Sequence, residues 1–435
     1  MTMKSLGAAL VFAAAFVSTG AEAAQPGTPA ATVIAIPPLT SPDTGTKGNE
    51  MLALAWQVTQ LIDADLRQTA EVMPLTPNRN DYYSYPQVTA PTFSQWRAKG
   101  AKALVTGFVQ SRSDGRLTVG CYVYDVEAGR ELGRKGFVIV PADLRRAAHK
   151  CSGLAYQAIT GSPGMFDTRI AYVAETGAPE ARVKRIAMMD SDGYNHKYLT
   201  PGDTTVLTPR LSPHAARLAY VSFQGGTPQV RIMNLDNGEQ RPLLAGNAMT
   251  FAPRYSPDGS KIVFSMMLGA NSDIYIVGAN GGLPQRLTTS PAIDTDPSFS
   301  PDGSKIVFES DRSGTQQLYV MDANGSNQRR ITFTTAAYST PEWSPDGKYV
   351  AFTWRMADTR RIGIMAPDGT DEKILTAGPR DEAPSWAASS REIVFQRTDA
   401  TGRPGIYRVS LDGSAVRKMT IPQDGSDPNW SATMD

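Results

Sequence analysis

From about residue 165 onward, apolar positions fall in short runs rich in Val, Ile, Tyr and Phe. Each run is broken by Gly, Pro, Asp or Asn, which predicts strands joined by tight turns. Residues 297–332 show the unit. Pro297-Ser298-Phe299-Ser300 is an extended piece ended by a Ser-Pro-Asp-Gly turn, in which Pro presets φ and Gly closes the bend. Lys305-Ile306-Val307-Phe308 and Leu318-Tyr319-Val320-Met321 have the β-branched and aromatic composition that a packed sheet favours. Asn324-Gly325 carries the signal of a type I′ hairpin, and Arg329-Arg330-Ile331-Thr332 supplies a fourth strand.

The unit repeats. Ser-Pro-Asp-Gly stands at 256–259, 300–303 and 344–347, with a weaker copy at Ser212-Pro213, each 44 residues from the next. A Pro three residues ahead recurs at Pro209, Pro253, Pro297, Pro341, Pro384 and Pro428. Asp192, Asp236, Asn280, Asn324, Asp368 and Asp412 form a second comb of the same period. Thr200, Thr288, Thr332, Thr376 and Thr420 form a third, with Leu244 in the remaining slot. Four strands in about 44 residues is the length of a propeller blade. Six sets are present, but the segment at 168–200 has no first strand before it, and Asn429-Trp430-Ser431 has no strands after it. The two deficits cancel if the C-terminal strand completes the first blade, which closes the ring and leaves no open sheet edge.

Before residue 164 the pattern changes. Thr32 to Ile36 reads as a strand, and Asn49 to Thr69 as a helix with Leu52, Ala55, Leu61, Ile62 and Leu66 on its apolar face. Ala103 to Val109 and Leu117 to Tyr124 are strands joined at Ser113-Asp114-Gly115, Gly136 to Val140 is another strand, and Ala142 to Ile159 closes as a helix. The fold expected is an α+β N-terminal domain over 24–163, bounded by Gly161-Ser162-Pro163-Gly164. An all-β six-bladed β-propeller over 164–435, closed by the C-terminal strand, follows it. Ahead of both, Lys4, the apolar stretch Leu6 to Val17 and Ala21-Glu22-Ala23 read as a cleavable secretory signal over 1–23, too short for a membrane anchor.

With 43 basic against 42 acidic residues, the chain has no broad field for a phosphate backbone or anionic lipid, so nucleic acid is not an expected partner. No later segment has membrane-spanning length, so membrane insertion is not expected either. Cys121 and Cys151 are the two cysteines; an exported chain permits a disulfide, and two separate buried thiols fit the sequence equally. Catalytic constellations are missing. There is no Gly-x-Ser-x-Gly elbow, and the three histidines, His149, His196 and His214, are scattered rather than clustered for a metal, so neither catalytic residues nor a cofactor is expected. Asp294, Asp296, Asp381, Glu382 and Asp427 fall just before first strands, which line the central channel. They would therefore gather at one mouth of it, to bind a cation or a basic surface or to form turns.

Phe166-Asp167-Thr168-Arg169-Ile170-Ala171-Tyr172-Val173, Asp190-Ser191-Asp192-Gly193-Tyr194-Asn195 and the Ser-Pro-Asp-Gly-Ser-Lys repeats resemble the TolB family over essentially the whole chain. So do Leu-Tyr-Val-Met-Asp at 318–322 and the size and order of the small α+β domain. That resemblance implies a non-enzymatic periplasmic scaffold of the Tol–Pal envelope machinery. It would bind the peptidoglycan-associated lipoprotein (Pal) through the propeller mouth, contact TolA through its N-terminal region, and support outer-membrane integrity and constriction during division. Carried onto this chain, the lipoprotein-facing positions are Met249-Thr250, Asp294-Thr295, Tyr338-Ser339 and Asp381-Glu382. One departure concerns TolA: family members often begin with an extra strand-like segment, and here a short Ala/Pro/Gly-rich stretch stands in its place.

Overall fold

A computed structural model describes residues 31–433 apart from Ala70, Asn80, Tyr82, Pro179, Glu180 and Ala215; the predicted secretory signal lies outside the described residues. The α+β domain comprises β1 (Thr32–Ala35), α1 (Gly45–Arg67), β2 (Val72–Pro74), α2 (Ser94–Ala98), β3 (Ala103–Ser111), β4 (Leu117–Asp125), β5 (Arg130–Ile139) and α3 (Leu144–Thr160). Its sheet runs β2-β1-β3-β4-β5, with β1 parallel to both neighbours and β3, β4 and β5 antiparallel. Apolar residues at helical spacing, Met51, Ala55, Val58, Ile62 and Leu66 of α1 and Ala148, Cys151 and Ala155 of α3, are buried in one core with Val105, Val119 and Val123 of the sheet. Cys121 of β4 and Cys151 of α3 are joined as a disulfide, which settles the alternative left open above and pins α3 to the sheet.

Two boundaries differ from the sequence reading. Helix α1 begins at Gly45, where Gly48 sits too close to the Asp43 carbonyl for any side chain. Strand β5 begins at Arg130 rather than Gly136; as an exposed sheet edge rich in charge it carries no alternating apolar signal.

The remainder of the chain forms six four-stranded antiparallel sheets. In blade 1, Arg169–Thr176, Val183–Asp190 and Lys197–Tyr198 are completed on the inside by Asp424–Trp430. Trp430 pairs with Ile170, and its indole N–H donates to Thr168 across 262 residues of sequence, so the ring closes as predicted. The inner strands of blades 2 to 6 are Val206–Leu211, Met249–Tyr255, Asp294–Phe299, Ala337–Trp343 and Asp381–Trp386.

The three combs acquire physical roles. The comb prolines lie inside the inner strands, not at their starts. In each strand the residue before Pro takes positive φ: Thr208, Ala252, Asp296, Thr340, Ala383 and Asp427 all lie between 46° and 54°. Pairing with the second strand shifts register there, so all six inner strands carry a bulge, the place where a sheet tolerates a residue without an N–H. The threonine hydroxyls of Thr200, Thr288, Thr332 and Thr376 each accept the N–H of a third-strand residue fourteen positions back. Where Leu244 interrupts that comb, Thr250 accepts the corresponding N–H of Val230 instead. In the Asn-Gly comb, Gly325 alone of the Asn324-Gly325 pair has positive φ, so the turn is not type I′; the Asn324 side chain accepts the N–H of Ser326. A Cβ at Gly369, one period later, would meet the Ile331 carbonyl of the preceding blade, which explains the glycine as a packing requirement between blades.

Reducing the disulfide, or replacing both cysteines by Ala, should destabilise the α+β domain by about 3.6 kcal/mol in chemical denaturation, the loop entropy for its sequence span. Propeller ellipticity should remain.

Candidate functional site: the channel mouth

The inner strands place side chains around the channel in tiers set by the bulge. Nearest the mouth are Leu207, Phe251, Thr295, Ser339, Glu382 and Ser426; next come the six positive-φ residues; below them stand Arg210, Arg254, Ser298, Glu342, Ser385 and Asn429, each directly after a comb proline. The α+β domain docks on the opposite face, against turns that follow first and third strands: Arg391 reaches Glu71 and Ser162, and Arg145 reaches Asp192. Among the described residues, no part of the α+β domain covers the mouth.

The structure divides the eight sequence-predicted positions into two sets. Met249, Thr295, Ser339 and Glu382 are partly exposed, and the Thr295 hydroxyl meets that of Ser265 in the preceding blade at 3.1 Å. Thr250, Asp294, Tyr338 and Asp381 turn the other way and are buried. Asp294 accepts from Arg312 at 2.8 Å, and Asp381 accepts two bonds from Arg397 at 2.6 and 2.8 Å. Each arginine lies over a Phe and a Tyr of its own blade, Arg312 over Phe308 and Tyr319, Arg397 over Phe395 and Tyr407. Asp294 thus anchors the loop after the second strand of its blade, Asp381 anchors the end of the second strand itself, and both negative charges are matched before they reach solvent. The Tyr338 hydroxyl is held by Thr334 and Glu372. Glu382, in contrast, is partly exposed and is bridged at 2.7 Å by Arg360 of the third strand of blade 5.

Deeper in the channel the structure brings together charges that the sequence reading missed. Arg254 of blade 3 pairs with Glu342 of blade 5, passing the intervening blade. The other Glu342 oxygen accepts the Trp386 N–H and the Ser385 hydroxyl, both at 2.9 Å. The same level forms a belt between blades. Ser298 accepts the Trp343 N–H, Ser385 the Trp430 N–H, and Asn429 the Leu211 N–H. Burial, and the charge of Arg254 beside it, draw the Arg210 guanidinium down to about 10. Burial raises the Asp296 carboxyl against the pull of Arg254 and Arg210. Burial, reinforced by the charge of Asp296, raises Glu309 to about 8. One signal could have found this tier: the residue after each comb proline is polar or charged in all six repeats.

Of the acidic residues expected at the mouth, Asp296 and Asp427 do face the channel interior, near Arg210 and Arg254. At the rim, loops from blades 3 to 5 expose Leu268, Ile293, Phe333 and Met356; Phe333 is 74% and Leu268 55% exposed.

Together these features define a closed six-bladed β-propeller that carries a small α+β domain on one face and presents a polar channel mouth with an apolar rim on the other. A family model for the TolB beta propeller domain matches residues 156–434, and one for the TolB amino-terminal domain matches residues 25–132. The chain belongs to the TolB family. The Tol-Pal system protein TolB of Zymomonas mobilis subsp. mobilis is 49% identical over 200 residues, 46% of this chain and 44% of that protein. Its counterpart in Rhizorhabdus wittichii is 48% identical over 191 residues, 44% of each chain. These matches span less than half the length of either relative. The crystal structure of TolB from Acinetobacter baumannii superposes with a TM-score of 0.78 at 28% identity, covering 92% of this chain and 96% of that one.

Because Glu309 has its folded value raised from 4.5 to about 8, its contribution to stability is complete below 4.5 and is lost as pH rises through 8. Glu309→Gln should flatten the fall in melting temperature that the wild type shows across that interval. Parallel melting profiles would contradict the placement of this carboxyl.

Proposed function

We propose that the protein is a non-enzymatic periplasmic scaffold of the Tol–Pal system. It binds the peptidoglycan-associated lipoprotein through the propeller mouth and supports outer-membrane integrity and constriction during division. The observation that carries the reading is the uncovered mouth itself: a rigid ring of partly exposed polar positions, Thr295, Ser339 and Glu382, with Met249 beside them and exposed apolar residues around. A protein partner uses such a surface in a particular way: apolar anchors give affinity once water is excluded, and the polar ring fixes register. Membership of the TolB family and relatives that bear the name Tol-Pal system protein TolB support the same assignment. Among the described residues no helix is long and apolar enough to cross a membrane. The N-terminal region contacts TolA in this reading.

Within the proposed site the eight positions have different duties. Met249, Thr295, Ser339 and Glu382 meet the partner. Thr250, Asp294, Tyr338 and Asp381 hold the strands and loops that present them, through the contacts described above.

The test is calorimetric titration with the soluble peptidoglycan-binding domain of the same organism's associated lipoprotein. One-to-one binding is expected, weakened at least about tenfold, or about 1.4 kcal/mol, by Thr295→Arg and by Ser339→Arg. Asp381→Asn should instead lower the melting temperature. Absence of a complex with the wild type would overturn the assignment.

A further inference from the structure

The two domains meet across a charge-complementary joint centred on a buried histidine. His149 lies on α3 and is 3% exposed. Its Nδ1 lies 2.8 Å from an Asp65 oxygen on α1, and its Nε2 lies 3.3 Å from an Asp192 oxygen in the propeller turn after the third strand of blade 1. One carboxylate therefore comes from each domain, and the imidazole stands between them. The Ser152 hydroxyl donates to the same Asp65 oxygen at 2.6 Å. Arg145, one helical turn before His149, pairs with Asp192 and stacks 3.7 Å above the Tyr194 ring. Asp190, bonded by Asn195 and facing Arg169, is the remaining acid near the imidazole. On the same face of α3, Arg146 and Lys150 reach Asp167 at 3.2 and 3.7 Å.

Asp65, His149 and Asp192 have the residue types of a metal site, but their arrangement holds a proton instead. The carboxylates address opposite ring nitrogens. One ligand atom of each residue lies within 4.8 Å of the others, so spacing alone does not decide between an ion and a proton. Arg145, already bonded to Asp192, adds a positive charge where a cation would have to sit. An imidazolium is held by both carboxylates at once: Nδ1 is bonded to Asp65, and the ring's charge stands at ion-pair distance from Asp192, with which Nε2 makes no formed hydrogen bond.

We propose that His149 is a pH-responsive lock between the α+β domain and the propeller: protonated, it ties Asp65 of one domain to Asp192 of the other, and deprotonated, it releases one of them. A neutral imidazole keeps a single N–H and no charge, so Asp65 is left with Ser152, or Asp192 with Arg145, and the attraction that spans the two domains is gone. Burial alone would push the His149 value down, yet the bonds from Asp192 and Asp65 outweigh it and raise the value to about 10. The sign follows. A raised value means the contribution is complete below the ordinary histidine value of about 6.5 and is lost as pH rises toward 10. The joint is thus tightest at mildly acidic pH and loosens on the alkaline side.

The experiment is a histidine-selective NMR titration of the purified protein, together with melting and small-angle scattering at pH 6.5 and pH 9.5. The ring signal of His149 should remain that of the charged form beyond pH 8, while His196, whose value burial lowers, titrates on the acid side of 6.5. The wild type should show a lower melting temperature at pH 9.5, where the unfolded chain has already lost this proton, and a radius of gyration that only begins to rise there as the folded ring nears its own value of about 10. In His149→Gln the difference between the two pH values should shrink by at least half. If that variant does not fold, Asp192→Asn serves: it leaves Asp65 as sole partner and should move the His149 titration down by at least one pH unit. A His149 signal titrating near 6.5, pH profiles that run parallel in wild type and variant, or a rise in melting temperature on adding zinc, would overturn the proposal.

Discussion

The pairing of Asp424–Trp430 with Arg169–Thr176 is the contact on which the rest of the propeller depends. Five blades are built from consecutive strands and need only local turns. The first blade lacks an inner strand until the far end of the chain supplies it. Without that strand the ring would present open sheet edges in blade 1 and lose the wall of the channel there. The closing strand also carries Asp427 and Asn429 into the lumen. Its indole bond to Thr168 places Trp430 beside the lead-in from α3, so the seam of the ring and the joint between domains lie close together.

The bulge at each comb proline links the repeat to the site. Proline cannot donate to a ladder, so a regular inner strand would exclude it; a bulge accepts it and re-aims the flanking side chains. The same device, used six times, separates the mouth tier from the lumen tier. It leaves the scaffold uniform while the residues at each tier vary from Leu and Phe to Glu and Arg.

The architecture could be read from the sequence because its signals are periodic and local: a turn motif, a proline, a threonine hydroxyl at fixed offset. Even the interruption at Leu244 has a local remedy in Thr250. The site was only half legible, and the reason is the strand period of two. Asp294 and Thr295 are neighbours in sequence, yet one side chain is buried against Arg312 and the other is partly exposed, its hydroxyl meeting Ser265 of the preceding blade. A carboxylate in a loop-like sequence suggests solvent, and nothing in the sequence near Asp294 or Asp381 reveals the arginine sixteen or eighteen residues later that neutralises it. The polar position after each comb proline is periodic, but the choice of Arg254 and Glu342 as partners within it is not, and His149 and Asp192 join two domains that share no period.

Ring closure by the last strand also bears on how the chain comes to be folded. Blade 1 is the first propeller segment to emerge during synthesis, and it must wait for residues that emerge last. Blades 2 to 6 can pair internally as they appear, but the circle stays broken until delivery is complete. Through that interval the exposed edges of the first blade invite pairing with other chains. The seam is thus a checkpoint on completeness: a chain cut short anywhere before Asp424 keeps an unsealed sheet and stays a target for chaperones and proteases.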